Sequence, residues 1–527
     1  LKLEGTTIST LPNTLRLSWH TDTAIANGGL TDNKLQLHFD IVPPMEDIFT
    51  AIDWIRIAYT AANNLGNSPQ MLMHLTEAET TAGAISATLP PEAMVWDITT
   101  PAQAYVCTPG TENTFALKTG ANKPLKLVAF NPEAELYTPV CEGCVPEQNL
   151  HAMPVPDMLI ISAPGLIEQA RELAGIHRSM QNMEAEVVST TQIYNEYSSG
   201  SPSAYALRRI IKHFHDTGNG KLRYVLLYGT GSYNNRHASA TNMASTVPTY
   251  QCHNKNYIAD SQHSYCTDAY FVMLNDDYSA DNAHKTHPTL PIGRIPAINA
   301  DQAATYNAKV RRFLSDNSAA QCFGTALVAC DLGDNGEHSR RADAFAKEFS
   351  SRYAPSVVHK VYSDMYPISA VVNDSPTARK AVTEQLMQGT GLFTYIGHGN
   401  PDELVSAKGG CWLSSNHLLA CKNRMPYLAL LCTCNAACFD QNETPISSDL
   451  LFHNSGGAIA VIANTRSARS SYNSSFSGHL AQSYAALEPG DKYGDLWLRA
   501  ISGTMENYAN SSSGSINTIK YLLIGDP

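Results

Sequence analysis

GLFTYIGHG at residues 391–399 and YLALLCTCNAACFD at residues 427–440 are two apolar stretches that each end in a reactive side chain. Their apolar parts are short and nearly continuous, which is typical of strands buried on both faces of a parallel sheet. The first stretch ends around His398, between two glycines, and the second reaches Cys434. Neighbouring strands lie about 4.8 Å apart, so an imidazole and a thiol at adjacent strand ends can meet. The two stretches therefore predict a cysteine nucleophile with a histidine general base.

The second stretch holds three thiols, at Cys432, Cys434 and Cys438. Cys432 precedes Cys434 by two residues, so it shares that face of the strand deeper in the sheet, where a thiol packs as a small hydrophobe. Cys438 lies beyond the strand, where the first turn of a helix would favour a thiolate. Cys434 is the predicted nucleophile and Cys438 the alternative. A purely structural His398 and Cys434 is the competing interpretation, because cysteine is among the most buried residue types.

The segments on both sides alternate between strand and helix patterns from about residue 152 onward. Buried-strand patterns begin near residues 157, 185, 223, 325, 357, 391, 427, 458 and 521, and helical patterns occur at 164–180, 203–216, 300–314, 338–350 and 377–388. Such alternation predicts a mainly parallel sheet with right-handed crossovers. We therefore predict an α/β fold of two adjacent subdomains, a non-catalytic one at 151–316 and a catalytic one at 317–527.

Residues 1–150 follow a different pattern. Short runs of alternating apolar and polar residues are separated by turn residues, at 14–20, 35–41, 54–59 and 125–130. A period of two residues is typical of antiparallel strands with one buried face. We predict an amino-terminal β-domain over residues 1–150 that serves packing or docking.

Polar side chains end several strands of the second α/β half. Asp331, His398, Cys434 and Asn464 each stand at or just beyond the end of an apolar run. In open α/β sheets, reactive groups gather beyond the carboxyl ends of the strands. We therefore expect these four residues to share one site.

Composition narrows the classes of partner. The chain of 527 residues has a formal net charge of −12, which argues against nucleic acid as its main partner. It contains no run of about 18 uncharged apolar residues, so no segment is predicted to span a bilayer.

Twelve cysteines are moderate for this length and do not predict a disulfide scaffold. Cys252 and Cys266 flank a polar loop and remain candidates for one disulfide.

Three further patterns have alternative interpretations. The GTGS segment at 229–232 lacks the lysine of a phosphate loop, so a tight turn is favoured over nucleotide binding. The polar segment 230–290 is predicted to be a long surface excursion. Its acids at Asp268 and at 275–277 allow either a calcium site or a solvated acidic turn. The CxxC at 141–144 is more typical of a local disulfide or two free thiols than of a metal site.

Several motifs resemble one family of enzymes. The sequences YIGHG at 395–399, TCNAACFD at 433–440 and NSGGAIAVIANTR at 454–466 resemble the gingipain family of caspase-like cysteine peptidases. Within that family, they are similar to the PorU-type sortases of the type IX secretion system. YNEYSSG at 194–200 and IGRIP at 292–296 extend the resemblance over most of the chain. It implies a caspase-like fold of two α/β subdomains.

The resemblance also implies roles for particular residues. Cys434 would be the nucleophile and His398 the base, and the backbone N–H groups of Gly399 and Cys434 would form the oxyanion hole. A third carboxylate often orients the histidine in this family. Asp331, Asp334 and Glu337 are the candidates here, and the position of Asp331 at a strand end favours it. Cys438 departs from the family pattern.

The resemblance says less about substrate preference than about the catalytic residues. The endopeptidases of the family bind basic residues with an acid and a tryptophan, and residues 467–473 contain no matching tryptophan. A preference for basic residues is therefore not expected. Arg466 and Asn464 are predicted to bind substrate, with a paired surface arginine as the alternative for Arg466.

The sortase branch implies an exported protein at the cell surface, associated with the outer membrane. Its substrates would be secreted cargo proteins with carboxyl-terminal signal domains, its acceptor anionic lipopolysaccharide, and its partner the outer-membrane barrel protein PorV. No cofactor is expected to be required, and calcium is left as an option. A secreted gingipain-like endopeptidase and a non-catalytic cargo-binding scaffold are the alternatives.

Overall fold

The fold is described from a computed structural model. It covers residues 62–527 apart from short gaps, and three dipeptides among the first 40 residues. Those dipeptides are strands β1 (Lys2–Leu3), β2 (Thr6–Thr7) and β3 (Leu37–His38), and β1 pairs antiparallel with both of the others. The gaps are residues 82, 101, 111–113, 118–122, 137, 142, 236–242, 253–264, 276–285, 317–321, 354–355, 372–373, 407–409 and 442. The predicted strands at 14–20 and 54–59 lie outside the described residues.

The chain divides into two compact units, residues 41–146 and residues 1–40 together with 147–527. The described strands of the first unit are β4 (Gln70–Leu75), β5 (Ala84–Ser86), β6 (Met94–Asp97), β7 (Tyr105–Val106), β8 (Thr108–Pro109), β9 (Thr114–Ala116) and β10 (Leu125–Phe130). They form two antiparallel sheets, in the orders β4-β10-β6-β7 and β5-β9-β8. Alternate residues of β10 are buried, as a period of two requires. The predicted antiparallel β-structure is confirmed here.

The larger unit is built on one extended sheet. Its described strands after residue 146 are β11 (Met158–Ser162), β12 (Ala185–Ser189), β13 (Tyr224–Tyr228), β14 (Gln251–Cys252), β15 (Tyr265–Cys266), β16 (Ile292–Ile295), β17 (Thr325–Cys330), β18 (Val357–Tyr362), β19 (Leu392–Ile396), β20 (His398–Gly399), β21 (Glu403–Val405), β22 (Cys411–Ser414), β23 (Tyr427–Cys432), β24 (Ala458–Asn464) and β25 (Tyr521–Gly525). Ten of these described strands form the large sheet, in the order β12-β11-β13-β16-β25-β24-β23-β19-β17-β18. The mainly parallel α/β sheet predicted from the apolar runs is thereby confirmed.

The two α/β halves meet at β25, the last strand of the sheet in chain order. Within each half the neighbouring strands are parallel. β25 pairs parallel with β16 of the first half, through Arg294 and Ile524, and antiparallel with β24 of the second. The halves therefore share a single sheet whose centre is buried on both faces.

Helices cover this sheet. Their bounds among the described residues are Ile167–Gln181, Thr190–Tyr197, Ala204–Thr217, Ala300–Ser315, Glu337–Arg352, Pro376–Gln388, Ser415–Leu419, Ile446–Phe452, Ser470–Ala485, Tyr493–Asn507 and Ser512–Ile519. Each of the five helical patterns given above corresponds to one of them within a few residues. None of the helices in the described part of the chain is long and apolar enough to cross a membrane.

Part of the polar segment 230–290 is buried rather than at the surface. Residues 265–274 are almost fully enclosed, and Asp268 is only 2% exposed. Asp268 accepts two hydrogen bonds from Arg294 of β16, each 2.8 Å long. The prediction of a surface excursion is therefore wrong for these residues, because a buried arginine in the sheet recruits the acid. Residues 276–277, the other proposed calcium ligands, lie outside the described residues.

Candidate active site

His398 and Cys434 follow neighbouring strands in the same register. β19 and β23 are parallel neighbours, and Ile396 is paired with Cys432. His398 and Cys434 each come two residues after that pair, so the two side chains leave the same edge of the sheet at matching positions. In the described residues no hydrogen bond joins the imidazole to the thiol, and such bonds are often long before substrate binds.

The surroundings of Cys434 suit a reactive sulfur. The backbone N–H of Ala468 donates to Sγ at 3.3 Å, and the carbonyl oxygen of the same residue lies 3.7 Å from Sγ. A donor of this kind stabilises a thiolate. No acceptor for the Cys434 N–H is present among the described residues, so this group is free to bind an oxyanion.

The other two thiols near this strand end are poor nucleophiles. Cys432 is 2% exposed and Cys438 is fully buried. Burial raises the pKa of each to about 12, and for Cys438 the nearby Asp440 carboxylate adds to the rise. Cys438 lies in a turn before the helix Ile446–Phe452, so the predicted helix N-terminus at this thiol is absent from the described structure. Cys434 is the one of the three that solvent reaches.

Asp334 is the carboxylate that contacts the ring of His398. Its Oδ2 lies 2.8 Å from Nε2 of His398. A carboxylate at Nε2 holds the proton on that nitrogen, which leaves Nδ1 as the basic nitrogen. Asp331, which the strand-end argument favoured for this task, instead accepts the backbone N–H of His398 at 3.3 Å.

Asp331 also binds a second histidine that the sequence analysis did not select. Asp331 is fully buried, and its Oδ1 lies 2.5 Å from Nδ1 of His338. The ring of His338 meets that of His398 edge-on, with 5.0 Å between centroids. Burial alone would lower the pKa of His338, but the hydrogen bond and charge of Asp331, with help from Asp334, raise it above its ordinary value. The signal available in the sequence was the position of His338 at the start of the predicted helix over 338–350, shortly after the strand that precedes Asp331.

A strained turn brings Asp334 over the sheet. Residues 333–336 all have positive φ, with 50° at Asp334 and 53° at Asn335. Positive φ costs a non-glycine residue free energy on the order of 1 kcal/mol, so it persists where surrounding contacts hold it. Here the turn reverses the chain after β17 and lets Asp334 reach His398. The strand-end argument pointed to Asp331 because it could not foresee this reversal.

The glycines on either side of His398 allow close approach of the backbone. A side chain at Gly397 would collide with the Tyr395 hydroxyl and the Asp331 carboxylate. A side chain at Gly399 would collide with Thr433, the residue before the candidate nucleophile. The two strand ends therefore lie close together, and glycine at position 399 lets the backbone there approach Thr433.

Arg466 and Asn464 are placed differently from their predicted role in substrate binding. The guanidinium of Arg466 binds the buried Asp440 through two hydrogen bonds, of 2.8 and 2.5 Å. Asn464 is fully buried, and its backbone carbonyl oxygen accepts the N–H of Ala437 at 2.9 Å. Both residues brace the turn that follows Cys434. Arg466 is paired, but its side chain is only 11% exposed, so it is not the surface arginine of the alternative.

The GTGS segment supports the same turn from the first α/β half. Thr230 Oγ1 donates to the carbonyl of Phe439 at 3.4 Å, and the N–H of Tyr233 donates to that of Asp440 at 2.8 Å. Gly231 lies against the Phe439 ring, and the Arg294 guanidinium lies 4.8 Å from the centre of that ring. These contacts give the segment a structural task that its sequence did not indicate. The Phe439 ring also gives the guanidinium of Arg294, which is buried in the sheet, a surface to pack against.

The site contains a group of potential metal ligands but no disulfide. Asp331, His338 and His398 have ligand atoms within 4.8 Å of one another. Cys266 and the exposed pair Cys141 and Cys144 are free thiols, so neither of the disulfides considered from the sequence is formed.

Comparison with known proteins supports the fold and identifies the family. Residues 151–527 match the model of peptidase family C25. An uncharacterized protein of Archaeoglobus fulgidus is 22% identical over 376 residues, which cover 65% of this chain and 86% of that protein. The arginine-specific cysteine proteinase gingipain R is 16% identical, with a TM-score of 0.52 over 74% of this chain and 79% of its own.

Two further solved structures are also similar to this chain. The RgpB pro- and mature-domain complex of Porphyromonas gingivalis matches with 16% identity and a TM-score of 0.52, over 70% of this chain and 78% of its own. Latent PorU of the same organism is 25% identical, with a TM-score of 0.37 over 44% of this chain and 22% of its own. The gingipain likenesses show a shared fold. Since the family model spans most of the chain, this protein belongs to peptidase family C25, the gingipain family of cysteine peptidases.

Proposed function

We propose that Cys434 and His398 are the catalytic pair of this cysteine peptidase and that the enzyme acts as a sortase. The observation that carries the pair is the register of β19 and β23, which brings both residues to one edge of the sheet. Asp334 supports the base by holding Nε2 of His398. Burial raises the pKa of Cys432 and of Cys438 to about 12, which leaves Cys434 as the accessible thiol of the three.

The reaction follows from these positions. His398 Nδ1 accepts the thiol proton, and the sulfur of Cys434 attacks the carbonyl carbon of the scissile peptide bond. The N–H groups of Gly399 and Cys434 bind the negative oxygen. The imidazolium gives its proton to the leaving amine as the C–N bond breaks, which leaves a thioester. An acceptor amine or a water molecule then attacks the thioester and releases the thiol.

The sortase role rests on the sequence motifs around the pair. Their similarity to PorU-type sortases suggests cargo proteins with carboxyl-terminal signal domains as substrates and an amine of anionic lipopolysaccharide as acceptor. The same similarity supports the proposal that the enzyme acts at the cell surface, associated with the outer membrane and with PorV. No cofactor is needed for this chemistry, and calcium would serve stability. Because Arg466 is bound to Asp440, the described site offers no free arginine there for a charged side chain of the substrate.

A general endopeptidase is the second candidate. The side chain of His398 is 48% exposed, so an extended segment of an arbitrary protein can approach the base. Such an enzyme would hydrolyse many proteins, whereas a sortase would cut at one junction and transfer the product.

Incubation with two substrates separates these functions. One is a cargo protein with its carboxyl-terminal signal domain, and the other is casein. A sortase makes one cut in the cargo alone, and mass spectrometry detects a conjugate when an amine acceptor is added. An endopeptidase degrades both, and a cargo-binding scaffold cleaves neither. The Cys434→Ala variant is the control, and cleavage by that variant would refute the proposed nucleophile.

A further inference from the structure

Four side chains beside the proposed catalytic pair form a compact donor group, Asp331, Asp334, His338 and His398, which we call the two-histidine cluster. Oδ2 of Asp334 lies 2.8 Å from Nε2 of His398 and 3.4 Å from Nε2 of His338. A ring nitrogen of each histidine and an oxygen of Asp331 lie within 4.8 Å of one another. Two imidazole nitrogens and a carboxylate oxygen therefore converge on one small region.

These distances fit a tetrahedral metal ion. Nitrogen and oxygen ligands lie about 2.0 Å from zinc, so two ligands of a tetrahedral site are roughly 3.3 Å apart. The separations from Asp334 to the two histidines bracket that value. Both Nε2 atoms lie near the same oxygen, Oδ2 of Asp334, and the two rings meet at 76° to each other.

The buried side of the cluster has the arrangement that supports metal-binding histidines. Asp331 is fully buried and holds Nδ1 of His338 at 2.5 Å. A carboxylate on one ring nitrogen keeps the proton there and turns the lone pair of the other nitrogen towards a metal. His338 itself is 4% exposed, so its ring is fixed by packing as well.

The solvent side leaves an entry path and an open position. The side chains of Asp334 and His398 are 40% and 48% exposed, so a fourth ligand can be water.

The ligand types of the two-histidine cluster also select the kind of metal. Imidazole nitrogens suit zinc, copper and nickel, whereas calcium and magnesium prefer oxygen ligands alone.

We propose that the two-histidine cluster binds one divalent transition-metal ion of the zinc class, through Asp334, His338 and His398, with Asp331 positioning His338. Binding does not depend on the proposed function, but its effect on turnover does. The metal takes the lone pair of Nε2 of His398, and the proton formerly on that nitrogen passes to solvent. Nδ1 takes up one proton from solvent in exchange, so the ring stays neutral with its single proton on Nδ1. Nδ1 therefore becomes a donor and can no longer accept the proton of Cys434, which makes the ion a reversible inhibitor.

Titration of the full chain with Co²⁺ tests the binding. Cobalt in a tetrahedral site gives intense visible absorption, and thiolate ligands add charge-transfer bands in the near ultraviolet. We expect one ion per chain, visible bands without the thiolate bands, and displacement by Zn²⁺. Asp334→Ala, which alters an exposed side chain, should weaken binding more than about tenfold. Asp331→Asn should weaken it by about tenfold to hundredfold, because it removes the support of His338.

A matched control and a second readout complete the test. His213→Asn removes a histidine from another helix and should bind Co²⁺ as the unaltered chain does. Zn²⁺ should slow labelling of Cys434 by a peptidyl electrophile, and Asp334→Ala should raise the zinc concentration needed. Equal affinity in all variants, or dominant thiolate bands, would overturn the site. Tight binding with unchanged labelling would refute inhibition while leaving the site in place. If the unaltered enzyme is not labelled at Cys434 even in the absence of metal, that result counts against the proposed catalytic pair instead of against the metal site.

Discussion

Asp334 holds the ring of His398 through a 2.8 Å contact with Nε2, which leaves Nδ1 to serve as the base. Asp334→Asn should therefore lower kcat/KM by roughly tenfold to hundredfold, because an amide can donate to Nε2 and favour the wrong tautomer. A buried triad carboxylate loses about 10⁴-fold in the same exchange, and the exposure of Asp334 makes the expected loss smaller. The pH profile of kcat/KM, measured with a chelator present, provides the readout.

The neighbouring acid Asp364 gives the control for that experiment. It is exposed and accepts a hydrogen bond from Ser339 rather than from a histidine. Asp364→Asn should leave kcat/KM and its pH profile unchanged. Equal profiles for both variants would mean that Asp334 does not position the base.

The thiols give a second prediction. Cys434→Ala should abolish labelling by a peptidyl electrophile, whereas Cys438→Ala should retain most of it. The reason is that burial raises the pKa of Cys438 to about 12, so this thiol stays protonated at neutral pH. Mass spectrometry of the labelled peptides assigns the modified residue. Labelling that survives in Cys434→Ala and disappears in Cys438→Ala would reverse the assignment.

The buried His338 gives a third prediction, on stability. Its pKa in the folded protein is raised, since Asp331, Asp334 and Glu337 outweigh the effect of burial. A raised folded pKa stabilises the protein fully below the unfolded pKa of about 6.5, and this contribution is lost as the pH rises through the folded pKa. The difference in unfolding free energy between the unaltered protein and His338→Gln should thus be largest in mild acid and shrink as the pH rises. Urea unfolding from pH 5.5 to 8.5 with a chelator measures it, and a difference that grows with pH would contradict the assigned pairing.

The ion pair inside the sheet gives a fourth prediction. Arg294 and Asp268 are both almost fully buried, and Arg294→Met should destabilise the protein by about 3–5 kcal/mol because it strands the carboxylate. The ion pair of the exposed Arg223 with the half-buried Asp157 is the control, and Arg223→Met should cost less than about 1 kcal/mol. Urea unfolding compares the two.

A double variant tests the cause of that loss. Arg294→Met with Asp268→Leu removes both charges and should recover part of the stability. Recovery will be incomplete, because Arg294 also donates to the backbone carbonyls of Gly229, Thr230, Val247 and Pro248. A double variant less stable than the single one would show that the stranded charge is not the main cost.

Much of this fold follows from local sequence patterns. The apolar runs at 392–396 and 427–432 become buried parallel strands because little else accommodates such short continuous runs. Parallel pairing then places His398 and Cys434 together, so the candidate pair could be predicted from the sequence. Cys432 also packs in the sheet as its position in the strand indicated.

The contacts around the pair depended on geometry that the sequence does not encode locally. Asp334 reaches His398 through a turn of positive φ, and the binding partner of Asp331 is a histidine on the helix that follows. Arg466 was expected to meet substrate, but its partner Asp440 comes from a different strand end. For Asp334 and Arg466 a contact between distant parts of the chain decided the role, and for Asp331 it was the turn that leads to His338.

The central position of β25 has a consequence for how the molecule is made. β16 and β24 are separated in the large sheet only by this strand, which the chain supplies after both. Until residues 521–525 insert, each half presents an open apolar edge, and open edges invite association with other chains. Pairings so distant in sequence also form slowly. β24, which lies next to the strand that leads to Cys434, therefore gains its second neighbour only after residues 521–525 have been synthesised.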